Sequence, residues 1–183
     1  MPKPNRSRLI SAIEDCRLIS FSRPFESCSV RGYVLDIGPV FFLIALVSDR
    51  IWFDGFECFR IGDALGIRYD PYTGFVEAAL AGRGEQKPAG PDVSLASLTE
   101  LLLSSNNAFP LVTIHHEESD PDVCHIGCVI SVGPDRVFLH EISPDATWEE
   151  SPTGHPLEGI TRVNFGGDYE NALHLVGSSL QTR

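Results

Sequence analysis

The sequence predicts a mainly β protein with flanking helices, arranged as two tandem small barrels. Three observations carry this expectation. A pattern recurs at a constant spacing of 95 residues, short alternating apolar segments are broken by turn residues, and a single Pro/Gly-rich stretch separates the two copies. The first copy contains "RGYVLDIGPVFFLIALVS", residues 31–48, and the second "IGCVISVGPDRVFLHEIS", residues 126–143. At an offset of 95, Gly32, Val34, Gly38, Pro39 and Ser48 align with Gly127, Val129, Gly133, Pro134 and Ser143. At an offset of 96, Trp52 aligns with Trp148, Ile61 with Leu157, Ile67 with Val163 and Tyr69 with Phe165. A period this long exceeds the roughly 20–50 residues of a solenoid unit and implies a duplicated small domain. The intervening "GRGEQKPAGPD" reads as a linker. The expected division is 1–82 for the first unit, 83–92 for the linker and 93–183 for the second unit.

Each copy is expected to open on an amphipathic helix. In the first this is about residues 6–15, with Leu9, Ile10 and Ile13 on one face and Ser11/Glu14 spaced as a capping box. In the second it is about residues 93–104, with Leu95, Leu98, Leu101 and Leu102 apolar and Ser97/Glu100 similarly spaced. About five short strands follow in each copy, with Gly38-Pro39 and Gly133-Pro134 marking tight reversals. The last segment, "FGGDYENALHLVG", reads as a helix starting at Asp168 and stopped by Gly177, with a weaker counterpart near residues 75–81. A helix followed by about five short strands fits a small closed barrel, because closure removes exposed strand edges. The run "VFFLIALV", residues 40–47, is apolar on both faces. Such a strand is buried on both sides, so its second face must lie against the other barrel, a flanking helix or another subunit.

The stretch "GYVLDIGPVFFLI" is similar to the first motif of Sm-like proteins: a Gly, alternating apolar positions, an Asp near the bend and an apolar strand. "DGFECFRIGDALGIRY" and "HPLEGITRVNF" resemble the strand, short turn and closing strand that follow in that fold. The resemblance points to a bacterial family of tandem Sm-like (SH3-like) barrels. It implies ring assembly and single-stranded RNA binding, through an Asn in the first motif and a basic-Gly pair in the second. This chain differs at both places: no Asn follows Asp36, and Asp54-Gly55 stands where the basic-Gly pair would be.

Net charge is −11 and uneven. Residues 1–92 carry 11 basic and 12 acidic side chains, whereas residues 93–183 carry 3 and 13. The second half therefore repels phosphate backbones, which are bound by Lys and Arg, and suits a basic protein surface instead. The longest apolar run, residues 40–47, is far short of the ~20 residues of a membrane span. No apolar segment follows the basic start "MPKPNRSR" and the five cysteines are odd in number, so reduced thiols and a cytoplasmic location are expected.

The densest cluster of chemical groups is "LVTIHHEESDPDVCHIGC", residues 111–128. On a strand, Cys124 and Cys128 share a face but lie about 13 Å apart. Two thiolates on one zinc lie within about 4.6 Å of each other. His125 faces the other way, and "EESDPD" is a turn that lacks the spacing of a calcium loop. Only His115 and Cys124, across the hairpin, could share an ion, so no metal and no cofactor are expected. Nucleophile elbows, phosphate loops and dinucleotide fingerprints are absent from the sequence, and no enzymatic activity is expected. Cys16, Cys28 and Cys58 read as buried small apolar groups.

The leading functional expectation is a non-catalytic protein-interaction or self-assembly module. Its candidate partner-binding residues are Phe42, Ile44 and Leu46 on the apolar strand, the aromatic pair Trp52 and Trp148, and the acidic Glu149 and Glu150. The alternative is a divergent Sm-like RNA-binding protein that uses Lys3, Arg6 and Arg8, although nucleic acid is not the expected partner. A third is an acidic inhibitor of a basic toxin or nuclease.

Overall fold

The computed structural model describes residues 3–181, with side chains described for 5–178. The chain is mainly β, with ten antiparallel strands, four α-helices and one short 3-10 helix (Ile61–Asp63) among the described residues, and divides into two compact units, Met1–Pro91 and Asp92–Arg183. The linker stretch belongs with the first unit, where the Lys87 ammonium sits 5.1 Å from the centre of the Tyr33 ring.

The first unit runs α1 (Lys3–Glu14), β1 (Leu18–Ser22), β2 (Val30–Ile37), β3 (Phe41–Val47), β4 (Phe53–Arg60), β5 (Leu65–Tyr69) and α2 (Thr73–Gly82). Its strands lie in the order β5-β1-β2-β3-β4. The second runs α3 (Leu98–Ala108), β6 (Val112–His115), β7 (Cys124–Val132), β8 (Arg136–Glu141), β9 (Thr153–Pro156), β10 (Arg162–Phe165) and α4 (Asp168–Gln181). Its strands lie in the order β10-β6-β7-β8-β9, which is the same topology.

Register makes the correspondence residue by residue. Gly32 pairs with Leu46 and Gly127 with Glu141; a β-bulge falls between Val34 and Asp36 in one copy and between Val129 and Ser131 in the other. The Gly38 N–H donates to the Phe41 carbonyl at 2.8 Å and the Gly133 N–H to the Arg136 carbonyl at 2.7 Å, closing equivalent reversals. Ile51 and Ala146 both adopt positive φ, +58° and +62°, in equivalent turns. The repeated glycine has a steric cause. A Cβ on Gly32 would stand 2.6 Å from the Ala45 carbonyl oxygen, and one on Gly127 2.2 Å from that of His140. The next strand crosses too closely for any side chain.

Neither sheet closes into a barrel, which corrects the expectation of closure: among the described residues β4 does not pair with β5, nor β9 with β10. Helices seal the inward faces instead, so the core needs no closing strand pair. Leu9 and Ala12 of α1 pack with Ile19, Phe21, Phe42, Ile44 and Phe59 in the first unit. Leu101 and Leu102 of α3 are fully buried in the second, as are Ile114, Val137, Leu139 and Val163. Phe21, Phe42 and Phe59 meet with ring centres 5.4–5.9 Å apart. Such aromatic pairs add about 0.5–1.5 kcal/mol each beyond the area they bury. A smaller core lies on the outer face of each sheet under the final helix. Leu18, Tyr33 and Val47 lie under Val76 and Leu80 of α2, and Leu111, Ile126 and Ile142 lie under Leu173 of α4.

Several local expectations are corrected. The first helix starts earlier, at Lys3, which leaves Ser11 in its interior and not at a cap. The second starts at Leu98, with the Ser97 hydroxyl accepting from the Glu100 N–H at 3.1 Å; Val93 and Leu95 precede it in irregular chain and are buried. The last helix runs through Gly177 because that position is in contact, not at an end: a Cβ there would meet Ile142 Cδ1 at 2.6 Å. The counterpart near residues 75–81 is a full helix, α2, seated by Asp70. The Tyr72 N–H donates to Asp70 Oδ1 at 2.8 Å while Arg31 pairs with Asp70 Oδ2 at 2.9 Å. The two tryptophans are not equivalent. Val47 pairs with Phe53 and Ile142 bridges to Trp148, so Trp148 corresponds to Phe53.

Candidate functional site

The units differ most at three register-matched positions on the inward face. The first unit places Val30 of β2, Leu46 of β3 and Phe59 of β4 there, in or against its apolar core. The second places His125 of β7, Glu141 of β8 and His155 of β9. The His125 Nδ1–H faces Glu141 Oε2 at 3.1 Å, and the His155 Nε2–H faces Glu141 Oε1 at 2.9 Å. The two imidazole rings stack with centres 4.0 Å apart. A third ring, His116, lies 6.3 Å from each, with Nε2 held 2.8 Å from the Pro156 carbonyl oxygen.

Burial and hydrogen bonding act in opposite directions on two of these groups. Desolvation pushes the His155 imidazole below its ordinary range, against the pull of Glu141, and His125 and His116 lower it further. Partial burial alone would raise the Glu141 carboxyl. The hydrogen bonds from His155 and His125 outweigh it and hold the group below its ordinary value. The centre offers one carboxylate oxygen and two imidazole nitrogens as donors. The three candidate donor atoms lie within 4.8 Å of one another.

A second polar cluster is structural. Arg162 Nη2 lies 3.4 Å from Glu117 Oε1, and the Thr161 hydroxyl donates to Glu117 Oε2 at 2.6 Å, tying the β6–β7 turn to the chain before β10. The Thr113 hydroxyl donates to Glu170 Oε1 of α4 at 2.6 Å. Each of these buried carboxylates accepts a hydrogen bond, as buried polar groups require.

His115 and Cys124 stand directly opposite each other across β6 and β7. They lie on the face away from His125, and neither belongs to the only group of three candidate metal ligands among the described residues. His115 is buried, with Nδ1 3.1 Å from Arg162 Nη2, and Cys124 is exposed. Cys16 and Cys28 are exposed, which corrects the expectation that they are buried; only Cys58 of that trio is in the core, where burial pushes its thiol well up.

Among the partner candidates, Phe42 and Ile44 are fully buried and Leu46 packs against the same core. The apolar strand is therefore internal to its unit and presents no side-chain surface to a partner through these residues. Trp52 is half-buried beneath Arg50, and Trp148 packs in the small outer core against His140. Glu149 and Glu150 are exposed. Arg6 and Arg8 are exposed at residue level, but each guanidinium donates to a carbonyl of its own unit, that of Gly38 at 2.7 Å and that of Ile67 at 2.9 Å. They seat α1 on the sheet. The side chain of Lys3 lies outside those described.

Beside the centre, a hollow of about 270 Å³ opens on the outer face of the second unit, with Cys124, Ile126, Glu141, Glu149 and Tyr169 on its walls. Tyr169, Leu175 and Val176 of α4 are 53%, 71% and 49% exposed, an uncovered apolar surface on the same unit. No described helix is long and apolar enough to cross a membrane. The chain matches no protein-family model, no curated protein and no solved structure.

Proposed function

We propose that the chain is a non-catalytic interaction module of two tandem Sm-like units, in which the first is a scaffold and the second docks a basic protein surface. The common helix-and-five-strand order, the matched bulge and the matched reversal support duplication of one Sm-like ancestor. The observation that carries the docking reading is the hollow with Glu149 and Tyr169 on its walls, set in a half of the chain with 13 acidic and 3 basic residues. A hollow with a carboxylate and an aromatic wall is suited to a Lys or Arg side chain, and the half-exposed Tyr169 supplies apolar contact there.

A fluorescent Lys/Arg-rich peptide is the test probe. Amide shifts on titration are expected at Glu149, Tyr169 and Leu175, binding should weaken with salt, and Glu149→Lys should reduce affinity by roughly tenfold. Neither Glu149 nor Tyr169 belongs to the His125–Glu141–His155 centre. Shifts scattered over the acidic turn at 117–122, with affinity unchanged by Glu149→Lys, would overturn the reading.

A further inference from the structure

We propose that His125, Glu141 and His155 form a binding site for a divalent transition-metal ion of the zinc type, confined to the second unit. The argument starts from the donor set. Two imidazole nitrogens and one carboxylate oxygen suit zinc, whereas calcium and magnesium select all-oxygen sets. The carboxylate already lies 3.1 Å from one imidazole nitrogen and 2.9 Å from the other. Ligand atoms about 2.0–2.2 Å from one zinc stand about 3.3–3.5 Å apart in a tetrahedron, so small rotations of these side chains suffice. On binding, zinc takes the lone pairs of His125 Nδ1 and His155 Nε2, and each neutral ring keeps its single proton on its other nitrogen, moved there by exchange with solvent. The fourth position falls to a water molecule or to His116, whose ring is 6.3 Å from both histidines.

The comparison between copies supplies the second line of argument. At Val30, Leu46 and Phe59 the first unit binds three adjacent strands together with apolar contact. The second unit has histidines and a glutamate at the same register positions, where partial burial makes unpaired polar groups costly. Polar residues on three successive strands converge on one point there. A metal ion would tie β7, β8 and β9 as the apolar trio ties β2, β3 and β4. Ligands on three strands also arrive pre-positioned by the sheet, so little ordering remains for the ion to impose.

The test is zinc binding by the full chain, metal-free at the start, measured by calorimetry and by thermal unfolding. Cobalt(II) serves as a spectroscopic probe of coordination. One equivalent is expected to bind, to raise the unfolding temperature, and to give visible absorption of tetrahedral cobalt. Calcium and magnesium should change nothing. The decisive variant carries the first unit's residues, His125→Val, Glu141→Leu and His155→Phe together. It should remain folded, because the matched unit is built that way, and lose both zinc binding and the thermal shift. Glu141→Gln should weaken zinc by at least about tenfold. Zinc that binds the variant as tightly as it binds the parent is held by other residues of the chain, such as its five cysteines, and overturns the proposal. Absence of stoichiometric binding by the parent chain overturns it as well. If the triple variant does not fold, His155→Phe alone decides the matter on the same two readouts.

Discussion

The two units show how one scaffold tolerates two different interiors. Both place a glycine where the next strand crosses, the same bulge two residues on, and the same Gly-Pro reversal beyond it. These are backbone requirements, and both copies meet them with the same residues. The inward face next to them is free to differ. Val30, Leu46 and Phe59 make it apolar in the first unit; His125, Glu141 and His155 make it polar in the second. The outer cores diverge less. Tyr33 packs with Phe53 in one and Cys128 with Trp148 in the other, a trade of bulk between neighbours. The difference separates what the fold needs from what a site can take over.

Substitutions test that separation, beginning with the largest expected effect. Phe59→Ala removes a fully buried ring from the first unit and should cost about 3–5 kcal/mol. The equivalent His155→Ala removes one hydrogen bond to a carboxylate and should cost about 1–3 kcal/mol. Urea unfolding of the two variants measures the contrast, and equal losses would break it. Next come the shared glycines. Gly32→Ala and Gly127→Ala each push a methyl into a neighbouring carbonyl and should destabilise by about 1–3 kcal/mol. Tolerance at one and not the other would mean that the close crossing is not a common feature of the scaffold.

Acid should separate the units more gently. His155 and Glu141 both bind protons less readily folded than unfolded, from ordinary values of 6.5 and 4.5. Stability from His155 is present above pH 6.5 and lost as pH falls through its lower folded value. That from Glu141 is present above 4.5 and lost as pH falls further. Protection factors in β9, taken relative to intrinsic exchange, should therefore fall between pH 7 and pH 5, while those in β4 hold level, because Val30, Leu46 and Phe59 do not titrate. The smallest effect is expected for Trp148→Phe. It installs the first unit's residue at an equivalent position and should cost less than about 1.5 kcal/mol by thermal unfolding.

The scaffold was legible in the sequence because its constraints are local. A glycine, a Gly-Pro pair and alternating apolar residues recur at a fixed offset wherever the backbone needs them. Closure was not legible, since alternation shows which face is buried and not whether the outermost strands meet. The one-residue slip between copies was also misplaced. The offset is still 95 at Phe53 and Trp148 and becomes 96 by Phe59 and His155, so pairing Trp52 with Trp148 followed residue identity across a turn where register decides. The apolar run at 40–47 implied a strand buried on both faces, and this holds for Phe41–Val47, whereas Val40 lies outside the strand and is 56% exposed. It could not show that its own unit supplies part of that cover, with Val47 lying under α2. The site was missed because its ligands lie on three strands, at 125, 141 and 155. The signal was a polar residue in one copy opposite an apolar residue in the other. At Glu141 the contrast with Leu46 is readable at the fixed offset of 95; His155 emerges only once the register is known.

The central claim is that the second unit has turned three scaffold positions into a ligand site while the first has kept them as core. Zinc titration followed by amide and imidazole resonances of the whole chain tests it most directly. The account predicts saturation at one equivalent, with changes at His125, Glu141, His155 and His116 and none at Val30, Leu46 or Phe59. Changes centred on Cys16, Cys28 and Cys124, or no change at one equivalent, would contradict it.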